Sequence, residues 1–176
     1  MVLVESGLSS RSIWGVDEYN DVYYYDGFTW KTMQGKALAL TVAEAGVFLI
    51  EPRKQYIVMR RNVRYDNPQG DGWTEISRNR KGIRFLESTN FNVIYGVDKN
   101  NVLWYATGLS DLDSNWKVVP NLVDQMLNHN EGDSAVKEIS CNHFSCWVVT
   151  TAGTVYSMKT PWDPSNAQWT RDYGMS

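Results

Sequence analysis

Apolar and polar positions alternate in short bursts along this chain, and the bursts come in groups of four. The stretch from Val93 to Val119 shows the phrase most plainly. Two apolar runs, Val93 to Val97 and Val102 to Tyr105, flank the polar turn Lys99-Asn100-Asn101. A loop of small polar residues follows, and Trp116 then opens Trp-Lys-Val-Val. Short runs of Val, Ile, Tyr and Trp punctuated by Asn, Asp and Gly predict strands joined as hairpins. The exception is Leu122 to Leu127, where a single helical turn is predicted inside a polar segment.

The phrase recurs. Trp30, Trp73, Trp116 and Trp169 each open the last run of a unit, at spacings of 43, 43 and 53 residues. The longer spacing holds one polar insertion, Asn121 to Asp133. The second runs also align, with an aromatic at the third position each time: Trp14, Phe48, Tyr95 and Trp147. A blade of four strands takes about 40–45 residues. A lone blade cannot bury both its faces, so such units must stack on one another. The expected fold is therefore all-β: a small β-propeller of four blades, each of four antiparallel strands. One domain over 1–176 is predicted, with units at about 2–33, 37–76, 83–119 and 135–171. Every blade can be continuous in sequence, or the ring can close by a strand exchanged between the first and last blades. The repeated Trp residues, and the aromatics of the second runs, are expected in the cores between blades, because a large ring buries most area there.

Alternating strand direction sorts the connections onto two faces. Turns between second and third runs are tight, whereas the third-to-fourth loops are long in three units: RRNVRYDNPQGDG, ATGLSDLDSN and KTPWDPSNAQ. Long loops on a rigid scaffold are where binding is usually found.

Composition narrows the partners. The formal charge of −3 describes no basic face, which argues against nucleic acid. No apolar run approaches the roughly 18 residues of a membrane span, so membrane insertion is not expected. No signal peptide precedes the first apolar run, and the reading leaves a secreted mature form and a cytoplasmic protein both open. Cys141 and Cys146 bracket Asn142-His143-Phe144-Ser145, so they are placed either to face each other or to sit as two half-buried thiols, the reading preferred here.

The motifs themselves resemble a known family. Trp14-Gly-Val-Asp17 with Val22-Tyr23-Tyr24, and Tyr105-Ala-Thr-Gly-Leu-Ser-Asp-Leu-Asp-Ser-Asn-Trp116, are similar to tectonin repeats. The second unit, with Phe48-Leu49-Ile50-Glu51-Pro52, lacks the Gly and Asp, and the fourth has Val148-Val149-Thr150 in their place. The resemblance to tectonins, tachylectins and fish egg lectins implies a non-catalytic sugar-binding propeller in innate defence or self-recognition, taking cell-surface or microbial glycans. Many such proteins have five or six repeats, so four leave room for a smaller ring or for a homo-oligomer. The alternative is a propeller scaffold that binds protein without sugar.

Candidate site residues come from the loops that the repeat does not explain. Tyr65 and Trp162 are the candidate stacking platforms, since an exposed ring suits the apolar face of a pyranose. Asp111, Asp113, Asp163 and Asn166 are candidate hydroxyl partners. Trp104 also departs from the repeat. Asp17 and Asp98 precede turns, where their side chains are expected to accept backbone N–H bonds. His129 and His143 have no recurring carboxylate partners, so no metal site is expected, and no cofactor. Asp111 and Asp113 read as solvated loop acids rather than as a glycosidase pair. No catalytic residues are assigned.

Overall fold

The computed structural model describes residues 3–6, 13–43, 45–60, 63, 66–67, 69–89, 93–108, 111–128, 135–159 and 161–173. Among these residues it is all-β, with four separate four-stranded sheets, each a simple antiparallel meander. The first sheet holds β1 (Leu3–Ser6), β2 (Ile13–Val16), β3 (Asp21–Tyr25) and β4 (Trp30–Lys36). The second holds β5 (Ala39–Ala43), β6 (Gly46–Ile50), β7 (Ile57–Arg60) and β8 (Trp73–Ser77). The third holds β9 (Ile83–Ser88), β10 (Val93–Asp98), β11 (Leu103–Thr107) and β12 (Lys117–Val118). The fourth holds β13 (Val136–Cys141), β14 (Cys146–Thr150), β15 (Val155–Met158) and β16 (Thr170–Asp172). Each sheet is built from strands consecutive in the chain, and no described strand is exchanged between blades. Among the described residues two short helices interrupt the pattern. Helix α1 (Leu112–Asn115) precedes β12, and α2 (Leu122–Asn128) lies in the insertion where a turn of helix is predicted.

Hydrophobic alternation dictates how the sheets stack. On β2 and β3, Trp14 faces Tyr24 and Val16 faces Val22 across the ladder, so these four share one side. The equivalent sets are Phe48, Ile50, Ile57 and Met59 in the second sheet, and Tyr95, Val97, Leu103 and Tyr105 in the third. All twelve are buried, each beneath the leading side of the next sheet. The Trp that opens the fourth strand comes from that next sheet. Trp73 lies edge-on to Trp14 at 6.3 Å between ring centroids. Trp116 shares a core with Phe48, and Trp169 shares one with Tyr95. Gly96 makes room for Trp116: a Cβ there would lie 3.2 Å from the indole and 2.7 Å from the Ile83 side chain.

Three clusters fill the three junctions between successive sheets, and among the described residues none fills a fourth between the last sheet and the first. The expectation that every repeated aromatic is core therefore needs correcting at the two ends. Trp116 and Trp169 are buried and Trp73 is half-buried, but Trp30 is 40% exposed, because among the described residues no sheet packs on that side of the first. Trp147 is 37% exposed, because among the described residues no sheet packs on that side of the fourth.

The turn between second and third strands repeats its chemistry even where the motif is lost. Asp17 accepts the backbone N–H groups of Tyr19 and Asp21, and Asp98 accepts those of Asn100 and Val102. Glu51 accepts from Lys54 N, and the Thr150 hydroxyl from Thr154 N. Each turn then passes through a left-handed residue, at Asn20, Gln55, Asn101 and Gly153. A short acceptor that ties down its own turn is what all four positions share. Trp104 also finds its place here. Its indole N–H donates to Asp98 at 3.0 Å, as the Tyr23 hydroxyl donates to Asp17. Ladder register matches Trp104 to Tyr23, since each lies opposite the Gly of its second strand, Gly96 and Gly15.

Candidate binding surface

The third-to-fourth and first-to-second connections emerge on one face of the molecule, as strand alternation requires. In the fourth sheet the loop between β15 and β16 is held at both ends. Tyr95 donates its hydroxyl to the Pro161 carbonyl at 3.2 Å, and Asn121 donates to the Ala167 carbonyl at 3.2 Å. Burial pushes the Tyr95 hydroxyl pKa up, which keeps it a donor. Pro161, Pro164 and Ala167 are buried, and Pro164–Asn166 form one 3₁₀ turn. Asp163 accepts from the Ser165 hydroxyl at 2.8 Å and from Asn166 Nδ2 at 2.9 Å. The Asn166 and Ser165 bonds hold the Asp163 carboxyl below its ordinary range, so it is ionised at neutral pH. Trp162 stands at the head of this loop, 48% exposed. The structure thus brings Trp162, Asp163 and Asn166 together: an accessible ring beside a carboxylate and an amide.

Asp111 and Asp113 occupy the corresponding loop of the third sheet, with different duties. Asp111 caps α1, accepting from Asp113 N at 3.1 Å and from the Ser114 hydroxyl. Asp113 reaches across the junction to the second sheet, accepting from Ser77 Oγ at 2.6 Å and Arg78 N at 2.8 Å. Burial raises the Asp113 pKa, but the Ser77 and Arg78 bonds, with Arg80, outweigh it and hold the carboxyl low. Its oxygens brace two sheets. Tyr65 lies outside the described residues; next to it in the same loop, Asn67 donates to Asp71 at 3.0 Å.

Two rings on this face were not singled out from the sequence. Phe28 is 89% exposed at the turn from β3 to β4, and Phe144 is 70% exposed at the turn from β13 to β14. Each follows an acidic or amide residue by two. Asp26 accepts from the N–H groups of Phe28 and Thr29, and Asn142 from those of Phe144 and Ser145. The short phrases Asp26-Gly-Phe28 and Asn142-His-Phe144 are the signal that would have found them: a side-chain-capped turn with an aromatic at its tip.

Beneath the second of these turns Cys141 and Cys146 form a disulfide across the cross-strand pair, which replaces the expectation of two half-buried thiols. Cys141 N donates to Glu87 Oε1 at 2.8 Å. Burial, with the carboxylates of Glu5 and Glu138 nearby, pushes the Glu87 pKa up to about 8.

The opposite face carries an apolar cavity of about 160 Å³. Leu103, Val119, Leu122, Met126 and Val136 line it, with Val118 and Val123 exposed at its edge. Among the described residues no group of three or more His, Cys, Asp or Glu side chains is placed to hold a metal ion. No described helix is long and apolar enough to cross a membrane.

Solved structures of the same architecture identify the stacking of sheets as that of β-propellers. Human WBSCR16 is similar at 11% identity with a TM-score of 0.66, over 98% of this chain and 53% of that one. YCF48 from Cyanidioschyzon merolae is similar at 14% identity with a TM-score of 0.58, over 97% and 58%. Prp20p from Saccharomyces cerevisiae follows at 9% identity with a TM-score of 0.54, over 84% and 41%. The chain thus spans about half the length of the propellers it matches. Comparison with curated protein sequences returns no match. The tectonin domain model matches residues 2–174, nearly the whole repeat array, and the chain belongs to the tectonin domain family.

Proposed function

We propose that this protein is a non-catalytic, lectin-like binding module that takes a glycan on the face of the long loops. The observation that carries the reading is Trp162, an exposed ring on a loop pinned at Pro161 and Ala167, with Asp163 and Asn166 at its side. A pyranose would lay its C–H face on the indole while its hydroxyls bond the carboxylate and amide. Membership of a family of lectin-like, typically non-catalytic propellers supports the same reading. Phe28, Phe144 and Tyr65 are candidate further platforms around the face. Single shallow sugar sites are weak, and several engaged together would raise avidity by ~10²–10⁴. Cell-surface or microbial glycans, in defence or self-recognition, are the proposed ligands.

The test is a glycan screen, followed by titration of a hit against the wild type, Trp162→Ala and Tyr65→Ala with melting measured in parallel. A loss of affinity of roughly 10-fold or more in Trp162→Ala at unchanged melting temperature is the expected result; one 1.4 kcal/mol step is tenfold. Binding that survives both substitutions removes the loops as the site.

One observation favours a second reading. The apolar cavity on the opposite face, edged by Val118 and Val123, suits an apolar side chain of a protein partner. A fold of this kind is seen in a YCF48 structure described as bound to D1 peptide, similar at 11% identity with a TM-score of 0.56. Absence of any glycan hit moves this scaffold reading ahead.

A further inference from the structure

The face opposite the long loops carries an apolar cavity and a cluster of cations, and the two meet at Asn101. The cavity, of about 160 Å³, lies between α2, the start of β13 and the turn from β10 to β11. Val118 and Val123 are exposed at its edge. Leu127, also exposed, extends this apolar surface one turn along α2.

Asn101 lines the cavity, and its side-chain carbonyl accepts an N–H of the Arg84 guanidinium. Arg84 Nε donates to the Asp98 carbonyl at 3.2 Å. These bonds hold the exposed Arg84 head beside the cavity and leave further N–H donors of its fork for an acid. Lys99 belongs to the same turn. Its N–H donates to the Gly82 carbonyl at 3.0 Å, and a Cβ on Gly82 would touch the Lys99 chain at 3.4 Å. Lys81, the residue before Gly82, holds its ammonium 4.4 Å from the centre of the Trp104 ring. Lys81, Arg84 and Lys99 are all exposed, and among the described residues none forms an ion pair with a carboxylate. Asp98, the acid in their midst, is buried and already accepts from Asn100, Val102 and Trp104. Arg53 and Lys54, exposed on the turn from β6 to β7, add to the same face. The mild negative charge of the whole chain is a sum over all its surfaces and conceals this one. The expectation of no basic face is corrected here.

We infer that this face binds an acidic peptide segment through one large apolar side chain seated in the cavity, with carboxylates beside it on Arg84 and Lys99. The inference rests on the reading of the cavity as the site of a protein partner, and it adds the chemistry of that partner. Cavity size selects the anchor. An apolar cavity of about 150 Å³ takes one benzene ring. The cavity here, at about 160 Å³, therefore suits one Phe or Leu side chain and is too small for a lipid chain. Charge selects the flank. A carboxylate makes paired, charge-assisted hydrogen bonds with a guanidinium, and Lys99 supplies a second cation in the same turn. On the α2 side Asp124 is exposed, so the acids belong on one side of the anchor. A nucleic acid would meet the cations but has no phenyl or branched aliphatic group for the cavity.

Fluorescence polarisation with short labelled peptides tests this on the full chain. Two peptides carry a Phe with a run of Glu before it or after it. Two controls change that Phe to Ala, and a third keeps the Phe among Ser and Gly. One of the acidic Phe peptides is expected to bind, and each control to bind about tenfold more weakly or worse. Arg84→Glu, Lys99→Glu and Val123→Asp are each expected to weaken binding by about tenfold or more. All three side chains are exposed, so circular dichroism should not change. Lys31→Glu, the same charge change on the first sheet, should leave binding as it is. If Arg84→Glu melts lower through loss of its bond to Asn101, Lys99→Glu and the fall of affinity with added salt decide the matter. Equal binding of the neutral Phe peptide overturns the acidic flank and leaves a protein partner in the cavity. Equal binding of the Ala peptides, or oligothymidine binding that Val123→Asp leaves intact, marks a general polyanion surface and overturns the anchor. If none of the peptides binds, the inference and the protein-partner reading fall together.

Discussion

Trp116 and Trp30 open the same strand of their respective sheets, yet the first is 7% exposed and the second 40%. Local sequence is not the cause. Each begins with Trp-Lys and follows a loop that ends in a small or polar residue. What differs is the sheet before it. Trp116 has Phe48 and its neighbours to lie on, whereas Trp30 has none among the described residues. Trp73 falls between: it rests against Trp14 and donates its indole N–H to the Gln34 carbonyl at 2.6 Å, but stays half-buried. In a repeat array an identical residue is core or surface according to its neighbour, and stability is approximately a sum of units and interfaces.

The largest expected effect breaks this comparison at its strong end. Trp116→Ala should destabilise the fold by about 3–5 kcal/mol in urea, the usual cost of removing a large core ring. Trp30→Ala should cost less than about 1 kcal/mol in the same experiment, since an exposed side chain leaves no cavity behind. Equal costs for the two would mean that Trp30 is covered in solution.

A second effect concerns the carboxyl that the stacking buries. Glu87 sits between the third and fourth sheets with its pKa raised from 4.5 to about 8, chiefly by burial and then by Glu5. The folded chain therefore holds a proton that the unfolded chain has released, and stability falls as pH rises from about 4.5 to about 8. Glu5, raised to about 7 by burial, adds in the same direction over a shorter window. Glu87→Gln keeps an acceptor for Cys141 N and has no proton to lose. It should stabilise the protein by roughly 3 kcal/mol at pH 8 and little at pH 4.5. Urea unfolding at the two pH values checks it, and a wild-type stability that rises across this window would contradict the assignment.

A smaller effect tests the polar side of a junction. Asp113→Ala removes the acceptor that ties Ser77 and Arg78 of the second sheet to the loop of the third. A cost of about 1–2 kcal/mol is expected, because the Ser77 hydroxyl loses a charged partner. Asp111→Ala, which only uncaps a single-turn helix, should cost about 1 kcal/mol or less. If Asp111→Ala costs more, α1 matters to the junction more than Asp113 does.

Much of this protein is written in its residue order. Runs of Val, Ile, Tyr and Trp at alternating positions, separated by Asn and Gly turns, determine the sixteen short antiparallel strands, in four meanders, of the described residues, because each decision is local: a strand face, an acceptor at the turn, a left-handed residue after it. The Trp spacing also determines that the meanders stack, since each exposes two apolar faces. Of the candidate site, Trp162, Asp163 and Asn166 were legible because they stand in a loop that the repeat does not explain.

Other assignments needed the tertiary structure. Asp113 looks like its loop neighbour Asp111 in sequence, and only the approach of the second sheet gives it Ser77 and Arg78 to bind. Cys141 and Cys146 become a disulfide because ladder register sets them directly opposite each other. Which tryptophans are core is decided last of all. Burial belongs to a pair of surfaces, and the chain order names only one member of each pair.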